Sequence, residues 1–353
     1  MPDLVVAGAG MAGLVAAARA AQLGAEPLVL EKLDRAGGSM RLSSGVIWRH
    51  REFEDFRRDC PGGDESLQRL VFDRLDDGLR WLESLGAPVQ RRDTGNPLTS
   101  GIRFSPGGLT AALLAAGGEV RYGKPLREPP SDGTPLVLAT GGFQANRELL
   151  RRHVTPHAGE LVLRAAPGSS GDGLRIGLQL GAETSSGMDE FYGRNMPAPP
   201  ARIGEHEYVR LGQLYARHAE VTSVEGKRYE ARSWSEVDVV QWTARQPGAR
   251  AWFRVPREKL SELVRDRTVG EMIDAAAAAG APVRREPGAV AVETVAGVTA
   301  TLGGLRVDER AVAAPGAFAC GSDIGGISTG GWSSGLGAAL VLGRIAAESA
   351  LGA

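Results

Sequence analysis

The hydrophobic residues of the chain fall into short runs that end in glycine turns. Residues 4–7 are apolar and are followed by a glycine turn, a stretch of small residues over 12–23 and a second apolar run over 28–30. The short runs predict buried strands and the longer stretch predicts a helix. Strand, helix and strand in this order predict a βαβ unit with a parallel sheet.

Later segments extend this pattern. Leucines spaced along residues 67–85 approximate one face of a helix that we expect to pack on the core. Apolar runs at 135–139 and 317–320 also lead into glycines, so we expect them to be further strands of the first sheet. A glycine-rich run over 321–337 then leads into a final helix over 338–350.

The middle of the chain differs from both ends in composition and in its hydrophobic pattern. Between residues 188 and 295, Tyr, Trp, Arg and Pro are concentrated and no strand leads into a glycine turn. We therefore predict an α/β protein with two domains. Residues 1–187 and 296–353 form a discontinuous Rossmann-type domain with a parallel sheet, and residues 188–295 form a smaller inserted α+β capping domain for substrate.

Composition gives no electrostatic reason to expect a nucleic acid or an anionic membrane as partner. The 353 residues include 41 Lys and Arg against 42 Asp and Glu, a net charge of −1, so we expect a small-molecule substrate. No window approaches the roughly 20 uninterrupted apolar residues of a membrane span, and no secretion signal is evident, which indicates a cytoplasmic protein. Cys60 and Cys320 form no paired motif, so we expect reduced thiols and no metal site.

Gly8, Gly10 and Gly13 follow the first strand and begin the first helix, and Glu31 ends the second strand. In this context the glycines predict a dinucleotide-binding turn. Gly8 permits the tight turn, Gly10 lets the backbone reach a diphosphate, and Gly13 allows close packing of helix on strand. Glu31 is expected to accept hydrogen bonds from ribose hydroxyls.

Five further segments resemble those of the fumarate reductase, succinate dehydrogenase and 3-ketosteroid dehydrogenase superfamily of flavoproteins, in the family's order. They lie at 37–45, 139–143, 171–182, 301–305 and 318–335. The resemblance implies an FAD-binding, glutathione-reductase-like Rossmann fold, with Asp323 holding the ribityl chain and Leu126 near adenine. Since residues 39–41 include no histidine for covalent attachment, we expect non-covalent FAD. The residues assigned to FAD are Gly8, Gly10, Ala12, Gly13, Glu31, Lys32, Gly37, Gly38, Ser39, Met40, Ser43, Ser44, Gly45, Leu126, Ala139, Thr140, Gly141, Asp172, Gly321, Asp323, Ser333, Ser334, Gly335 and Leu336.

The residues of this chain differ from the pattern of this family at the positions where the resemblance implies contacts with a dicarboxylate substrate. Met196 and Ser328 stand where the resemblance implies histidines, Arg232 stands where it implies a glutamate, and Glu236 where it implies the catalytic arginine. We therefore expect a substrate that is neutral or singly charged. No second glycine fingerprint follows a strand, so electrons are expected from the substrate or from an external donor or acceptor rather than from NAD(P)H.

Candidates for proton transfer lie in the inserted domain. We assign Tyr192, Arg194, Arg228 and Tyr229 as catalytic residues, and the wider set of polar candidates also includes Asn195, Arg210, Tyr215, His218 and Arg250. Each has a structural alternative, a tyrosine with a satisfied hydroxyl or an arginine in a surface ion pair.

Two enzyme functions and one non-enzymatic function remain open. The favoured one is a dehydrogenase or reductase that acts on CH–CH bonds, with the reacting bond expected beside a carbonyl group and hydride exchange at flavin N5. The alternatives are a flavin oxidase or oxygen-using flavoprotein, and a non-catalytic FAD-binding module.

Overall fold

The computed structural model describes residues 1–230, 233 and 235–353. They form two compact units. Unit 1 comprises Met1–Asn146, Ala165–Glu190 and Ala300–Ala353, and unit 2 comprises Arg147–Arg164 and Phe191–Thr299. Residues 147–164, which the sequence pattern placed in the nucleotide-binding segment, thus belong to the second unit. This part of unit 2 consists of a short helix and a short strand, and no change in the sequence pattern marks where it begins or ends.

The described residues form strands and α-helices in the following positions. The strands are β1 (Leu4–Ala7), β2 (Pro27–Leu30), β3 (Val46–His50), β4 (Val89–Arg91), β5 (Thr99–Phe104), β6 (Glu119–Arg121), β7 (Leu136–Leu138), β8 (Val162–Leu163), β9 (Phe191–Pro197), β10 (Glu220–Ser223), β11 (Arg250–Pro256), β12 (Leu263–Val264), β13 (Arg267–Thr268), β14 (Val283–Glu286), β15 (Ala289–Thr301), β16 (Val312–Ala314) and β17 (Ala317–Ala319). The helices are α1 (Met11–Gln22), α2 (Phe53–Asp59), α3 (Glu65–Ser84), α4 (Pro106–Ala116), α5 (Arg147–His153), α6 (Asp172–Gln179), α7 (Glu236–Ala244), α8 (Val269–Ala278) and α9 (Gly335–Ala350).

Unit 1 is built on a sheet with the strand order β16-β17-β7-β1-β2-β6. Its strands pair in parallel except for β16, which pairs antiparallel with β17. The two predicted later strands lie next to each other, and one of them, β7, pairs directly with β1. This confirms the predicted fold class, a Rossmann-type domain with a parallel sheet.

Helices α1 and α9 each bury more than half of their residues, because small residues let them lie close to each other and to the sheet. A Cβ added to Gly343 of α9 would lie 2.7 Å from the carbonyl oxygen of Ala12 in α1. Helix α9 begins three residues before the predicted start because Ser334 caps it, its Oγ accepting from the N–H of Gly337 at 3.1 Å. Strands β3, β5 and β4 form a second, antiparallel sheet in this unit.

Unit 2 is organised around an antiparallel sheet of order β10-β11-β15-β14, and the short strands β8 and β9 also pair with β15. Its core contains Tyr215, Phe253 and Val292, packed against residues of α7 and α8. Among the residues that the structure describes, no helix has both the length and the apolar character that crossing a membrane requires.

Candidate functional site

The glycine turn after β1 contains two packing glycines and one open glycine. Gly8 has a φ of +104°, and a Cβ there would lie 2.3 Å from the carbonyl oxygen of Ala139. A Cβ on Gly13 would lie 1.9 Å from the carbonyl oxygen of Gly8. At Gly10 an added Cβ would meet nothing within 4 Å. Gly8 and Gly13 therefore hold the turn together, whereas Gly10 leaves space in front of it.

The N-terminus of α1 lies at this open position. Gly10 is its N-cap, and among the described residues no side chain caps the helix there. Free N–H groups and the positive end of the helix dipole bind phosphate groups. Ala12 lies at one edge of the open space in front of Gly10, and a Cβ on Gly321 would lie 2.8 Å from the Cβ of Ala12. This space at Gly10 and the N-terminus of α1, called the open corner below, fits the diphosphate of a dinucleotide.

Glu31 and Lys32 follow β2, and each is held by another segment of unit 1. The Glu31 carboxylate accepts from the backbone N–H groups of Ala9 and Leu33, both at 2.7 Å. The Lys32 ammonium lies 2.8 Å from the carboxylate of Asp172. Glu31 therefore anchors the glycine turn, and its contact with ribose hydroxyls stays a prediction.

The segment over 37–45 lies against the glycine turn. The N–H of Gly37 donates to the carbonyl oxygen of Ala9 at 2.7 Å. A Cβ on Gly38 would lie 3.2 Å from the Cα of Gly10. A larger residue at Gly38 would therefore crowd the turn at Gly10, whereas one at Gly37 would meet the side chains of Arg41 and Thr110.

The serines that follow take part in backbone hydrogen bonds. Ser39 Oγ accepts a backbone N–H at 3.0 Å, and Ser43 Oγ accepts the N–H of Gly45 at 3.1 Å. Met40 is buried, whereas Ser44 is exposed. These contacts give the segment one conformation, and the contacts of Ser44 with a cofactor stay a prediction.

Asp323 is a buried carboxylate at the carboxyl end of β17. It accepts the backbone N–H of Thr140, the Thr140 hydroxyl at 2.9 Å and the N–H of Gly142 at 2.9 Å. Burial raises the pKa of Asp323, and the hydrogen bonds oppose that rise. The loop that contains Ala139, Thr140 and Gly141 is thereby fixed to β17, and the proposed contact of Asp323 with a ribityl chain is untested.

The glycine-rich loop before α9 contains the buried serines Ser328, Ser333 and Ser334. The hydroxyl groups of Ser328 and Ser333 lie 2.9 Å apart and form a hydrogen bond with each other. Ser334 caps α9, while Gly335 is exposed and Leu336 is half-buried in the first turn of that helix.

Leu126 lies after β6 and is half-buried. The segment just before it runs beside the end of β2, because the N–H of Lys124 donates to the carbonyl oxygen of Glu31 at 2.8 Å. Every residue assigned to the cofactor belongs to unit 1. The open corner at Gly10, with its uncapped helix and surrounding glycines, fits FAD.

In unit 2, Tyr192 and Arg194 lie on the same strand, β9. The guanidinium carbon of Arg194 lies 4.6 Å from the centroid of the Tyr192 ring. Arg194 is 7% exposed and donates to the carbonyl oxygen of Gly193 at 2.8 Å. The cation therefore stacks on the ring face, a contact that the spacing of two residues along one strand allows.

Arg164 is a buried arginine of unit 2 that no sequence pattern identifies. It follows β8 and is 8% exposed. Its guanidinium donates to the Thr299 hydroxyl at 2.7 Å and to the carbonyl oxygen of Tyr208 at 3.0 Å. Burial lowers its pKa to about 10, and the positive charge of Arg194 also lowers it. A single arginine after a short apolar run has no pattern that separates it from surface arginines.

The other two catalytic candidates have structural contacts. Arg228 is exposed and forms an ion pair of 2.7 Å with Glu220. Tyr229 is buried in the core of unit 2, and its hydroxyl donates to the carbonyl oxygen of Ser233 at 2.6 Å. These contacts match the structural alternatives, so we leave both residues out of the catalytic proposal.

The wider set of polar candidates is also held by internal contacts or lies at the surface. Arg210 pairs with Glu207 at 2.5 Å beside a surface cavity of about 440 Å³, and Arg250 lies 3.5 Å from Glu293. The buried Tyr215 hydroxyl donates to the side-chain oxygen of Gln213 at 2.8 Å. Asn195 is buried and His218 is half-buried.

Three of the four positions that depart from the family pattern, Met196, Ser328 and Glu236, lie within the described residues. Met196 is fully buried in an apolar cluster with Ala198, Leu211 and Val295. Ser328 is paired with Ser333, as described above. Glu236 begins α7, and Arg232 lies outside the described residues.

The two cysteines are free and buried. Burial raises the pKa of the Cys60 thiol to about 12 and raises that of Cys320 as well. Neither thiol is therefore a reactive nucleophile near neutral pH.

The chain matches the family described as "FAD binding domain" over residues 3–126 and 131–340. It is 23% identical over 248 residues to vinyl phenol reductase of Lactiplantibacillus plantarum, which covers 56% of this chain and 49% of that protein. It is 23% identical over 300 residues to a probable fumarate reductase of Shewanella frigidimarina, which covers 71% of this chain and 50% of that protein. The chain thus spans about half the length of the curated relatives it matches.

Solved structures share the fold. A flavocytochrome c3 fumarate reductase in its open conformation has a TM-score of 0.74 at 20% identity, over 99% of this chain and 78% of that one. The 3-ketosteroid-Δ4-(5α)-dehydrogenase of Rhodococcus jostii RHA1 has a TM-score of 0.70 at 19% identity, over 99% and 96%. At these identities the likeness shows the fold alone.

Proposed function

Since the chain belongs to the FAD binding domain family, that of the fumarate reductase, succinate dehydrogenase and 3-ketosteroid dehydrogenase flavoproteins, we propose that it is an FAD-dependent oxidoreductase acting on CH–CH bonds. The substrate we propose is a small molecule other than a dicarboxylate, with the reacting bond beside a carbonyl group.

The observation that carries the substrate proposal is the placement of Met196. It stands where the resemblance implies a histidine, yet its side chain is fully buried in the apolar cluster with Leu211 and Val295. Ser328 has a hydroxyl already bonded to Ser333, and Glu236 carries a negative charge. Each lost charge-assisted hydrogen bond costs about 1.5–3 kcal/mol, or roughly tenfold to a hundredfold in affinity. Fumarate and succinate are therefore expected to be poor ligands.

FAD, when bound, exchanges a hydride with a substrate carbon through its N5 atom. The residues of this chain would bind and orient it: the N-terminus of α1 at Gly10 would bind the diphosphate, and Gly38, whose Cβ would lie 3.2 Å from the Cα of Gly10, would leave space beside it. The contact of Glu31 with Ala9 holds the glycine turn in place, and the contacts of Asp323 hold the loop at Thr140 and Gly142.

We assign the proton chemistry to unit 2. The Tyr192 hydroxyl is the proposed proton donor or acceptor for the carbon next to the one that exchanges the hydride. The permanent cation of Arg194 would stabilise negative charge that develops on a carbonyl oxygen. Their stacking at 4.6 Å holds both side chains in one arrangement.

Steady-state reduction with a reduced viologen dye under anaerobic conditions tests this proposal. Fumarate, the singly charged acid cinnamate and the neutral enone cyclohexenone would be compared as oxidants. We expect kcat/KM for fumarate to be the lowest of the three by at least about 100-fold, from two lost charge-assisted contacts. Turnover of fumarate near ~10⁵ M⁻¹s⁻¹ or above, as ordinary enzymes show, would contradict the substrate proposal.

A further inference from the structure

Unit 2 buries two arginines beside each other. Arg164 is 8% exposed and Arg194 is 7% exposed. Their strands, β8 and β9, both pair with β15. A Cβ on Gly297 of β15 would lie 2.6 Å from Cδ of Arg164 and 3.0 Å from the carbonyl oxygen of Arg194. The absence of a side chain at Gly297 therefore lets Arg164 lie across β15 toward Arg194.

The groups that contact these two arginines are neutral. Arg164 donates to the Thr299 hydroxyl and to the carbonyl oxygen of Tyr208, and its buried Nε has no partner among the described residues. Arg194 donates to the carbonyl oxygen of Gly193 and stacks on Tyr192. Within the described part of the chain, neither arginine forms an ion pair with a carboxylate. Two buried arginines, from two strands that both pair with β15, thus have no carboxylate partner among the described residues.

Burying a charge is costly unless an opposite charge or a full set of hydrogen bonds compensates it. The pKa of Arg164 is lowered for this reason, because burial and the charge of Arg194 both disfavour the protonated form of its guanidinium. If Arg164 served only to connect Thr299 of β15 with the carbonyl oxygen of Tyr208, a neutral hydrogen-bond donor such as glutamine would suffice. A pair of arginines is suited instead to an anion, because the planar guanidinium matches the two oxygens of a carboxylate.

We propose that Arg164 and Arg194 bind the single carboxylate of the substrate, so that the substrate class is a monocarboxylic acid. This inference rests on the proposed function, because it identifies the substrate of that same enzyme. The unpartnered Nε of Arg164 is a donor for one carboxylate oxygen, and Arg194 supplies the second charge. Both positions differ from those at which the resemblance implied dicarboxylate ligands.

Calorimetric titration of the oxidised holoprotein measures this binding without turnover. The probes are benzoate and benzamide, which share a shape and differ in charge, together with succinate. We expect benzoate to bind at least about tenfold more tightly than benzamide, the effect of one charge-assisted hydrogen bond, and more tightly than succinate. This comparison uses the unaltered protein, so it does not depend on whether a variant folds.

Two variants and a control locate the site. Arg164→Met is expected to weaken benzoate binding by about tenfold to a hundredfold and to leave benzamide binding unchanged. Arg194→Lys keeps the charge but loses the planar fork, and should weaken benzoate by a smaller factor. Arg254→Met removes an exposed arginine of the same unit that pairs with Glu286 at 2.9 Å, and should leave both affinities unchanged.

Equal affinity for benzoate and benzamide, or benzoate affinity that survives both Arg164→Met and Arg194→Lys, would overturn the proposal. Tighter binding of succinate than of benzoate would replace the monocarboxylate with a dicarboxylate. Charge-selective binding of benzoate in a protein that reduces no unsaturated substrate would support the anion site and contradict the proposed function, so the two failures are distinguishable.

Discussion

Replacing Gly10 by leucine is expected to abolish FAD binding while leaving the fold intact. An added Cβ at Gly10 would meet nothing within 4 Å, and its φ of −80° and ψ of −172° are extended values that any residue adopts. The new side chain would therefore project into the open corner at the N-terminus of α1. That corner is where the diphosphate would lie.

The loss of affinity follows from the contacts that the diphosphate would forfeit. Two charge-assisted hydrogen bonds to backbone N–H groups are together worth about 3–6 kcal/mol, which is roughly 10²- to 10⁴-fold in the dissociation constant. The unfolding free energy of the protein without FAD should fall by no more than about 1 kcal/mol, the cost of a poorer residue at the N-cap of α1. Fluorescence titration of the apoprotein with FAD and denaturant unfolding measure the two quantities.

Two matched variants separate this effect from general damage. Gly107→Leu changes an exposed glycine in the first turn of α4 whose Cβ would also meet nothing within 4 Å, and it should bind FAD normally. Gly13→Leu places a Cβ 1.9 Å from the carbonyl oxygen of Gly8, so it should destabilise the fold itself. Undiminished FAD affinity in Gly10→Leu would refute the assignment of this corner to the diphosphate.

Three further predictions concern the cofactor and the stability of unit 1. Denaturation should release intact FAD, because residues 39–41 offer no histidine for attachment, and flavin that stays with the unfolded chain would contradict this. NADH and NADPH should reduce the flavin slowly under anaerobic conditions, since only one glycine fingerprint follows a strand; rapid, saturable bleaching would show a nucleotide site that we have missed. Burial lowers the pKa of His50 below 6.5 despite Asp59 at 3.1 Å, so the unfolded chain takes up a proton at higher pH than the folded one. The unfolding free energy should therefore fall as the pH drops below 6.5, by up to about 1.4 kcal/mol per pH unit, and His50→Gln should reduce that slope whereas the exposed-site variant His206→Gln should not.

The nucleotide-binding half of the fold could be predicted because its signals are local. The apolar runs that became β1, β7 and β17 each lead into a glycine, and the run that became β2 ends at the acidic Glu31. The close approaches at Gly8 and Gly13 explain why no other residue fits at those two positions. Helix α3, predicted over 67–85, spans Glu65–Ser84, with Asp64 as its N-cap.

The candidate residues of unit 2 were harder to predict because their environment depends on contacts between distant segments. Tyr229 and Arg228 are adjacent in sequence, yet one packs in the core and the other pairs with Glu220 at the surface. Arg164 is buried because the strand before it pairs with Gly297 and Val298, more than a hundred positions later in the chain. No periodicity in a single sequence reports such a contact.

The most direct test of the central claim is the oxidative half-reaction of the reduced protein. Dithionite-reduced holoprotein would be mixed anaerobically with cinnamate or cyclohexenone, and the visible absorbance of oxidised flavin would be followed together with the saturated product. We predict that the absorbance returns in a substrate-dependent phase, with one molecule of product formed per flavin. A flavin that stays reduced with every unsaturated compound, yet reoxidises rapidly in air, would contradict action on CH–CH bonds and favour an oxidase.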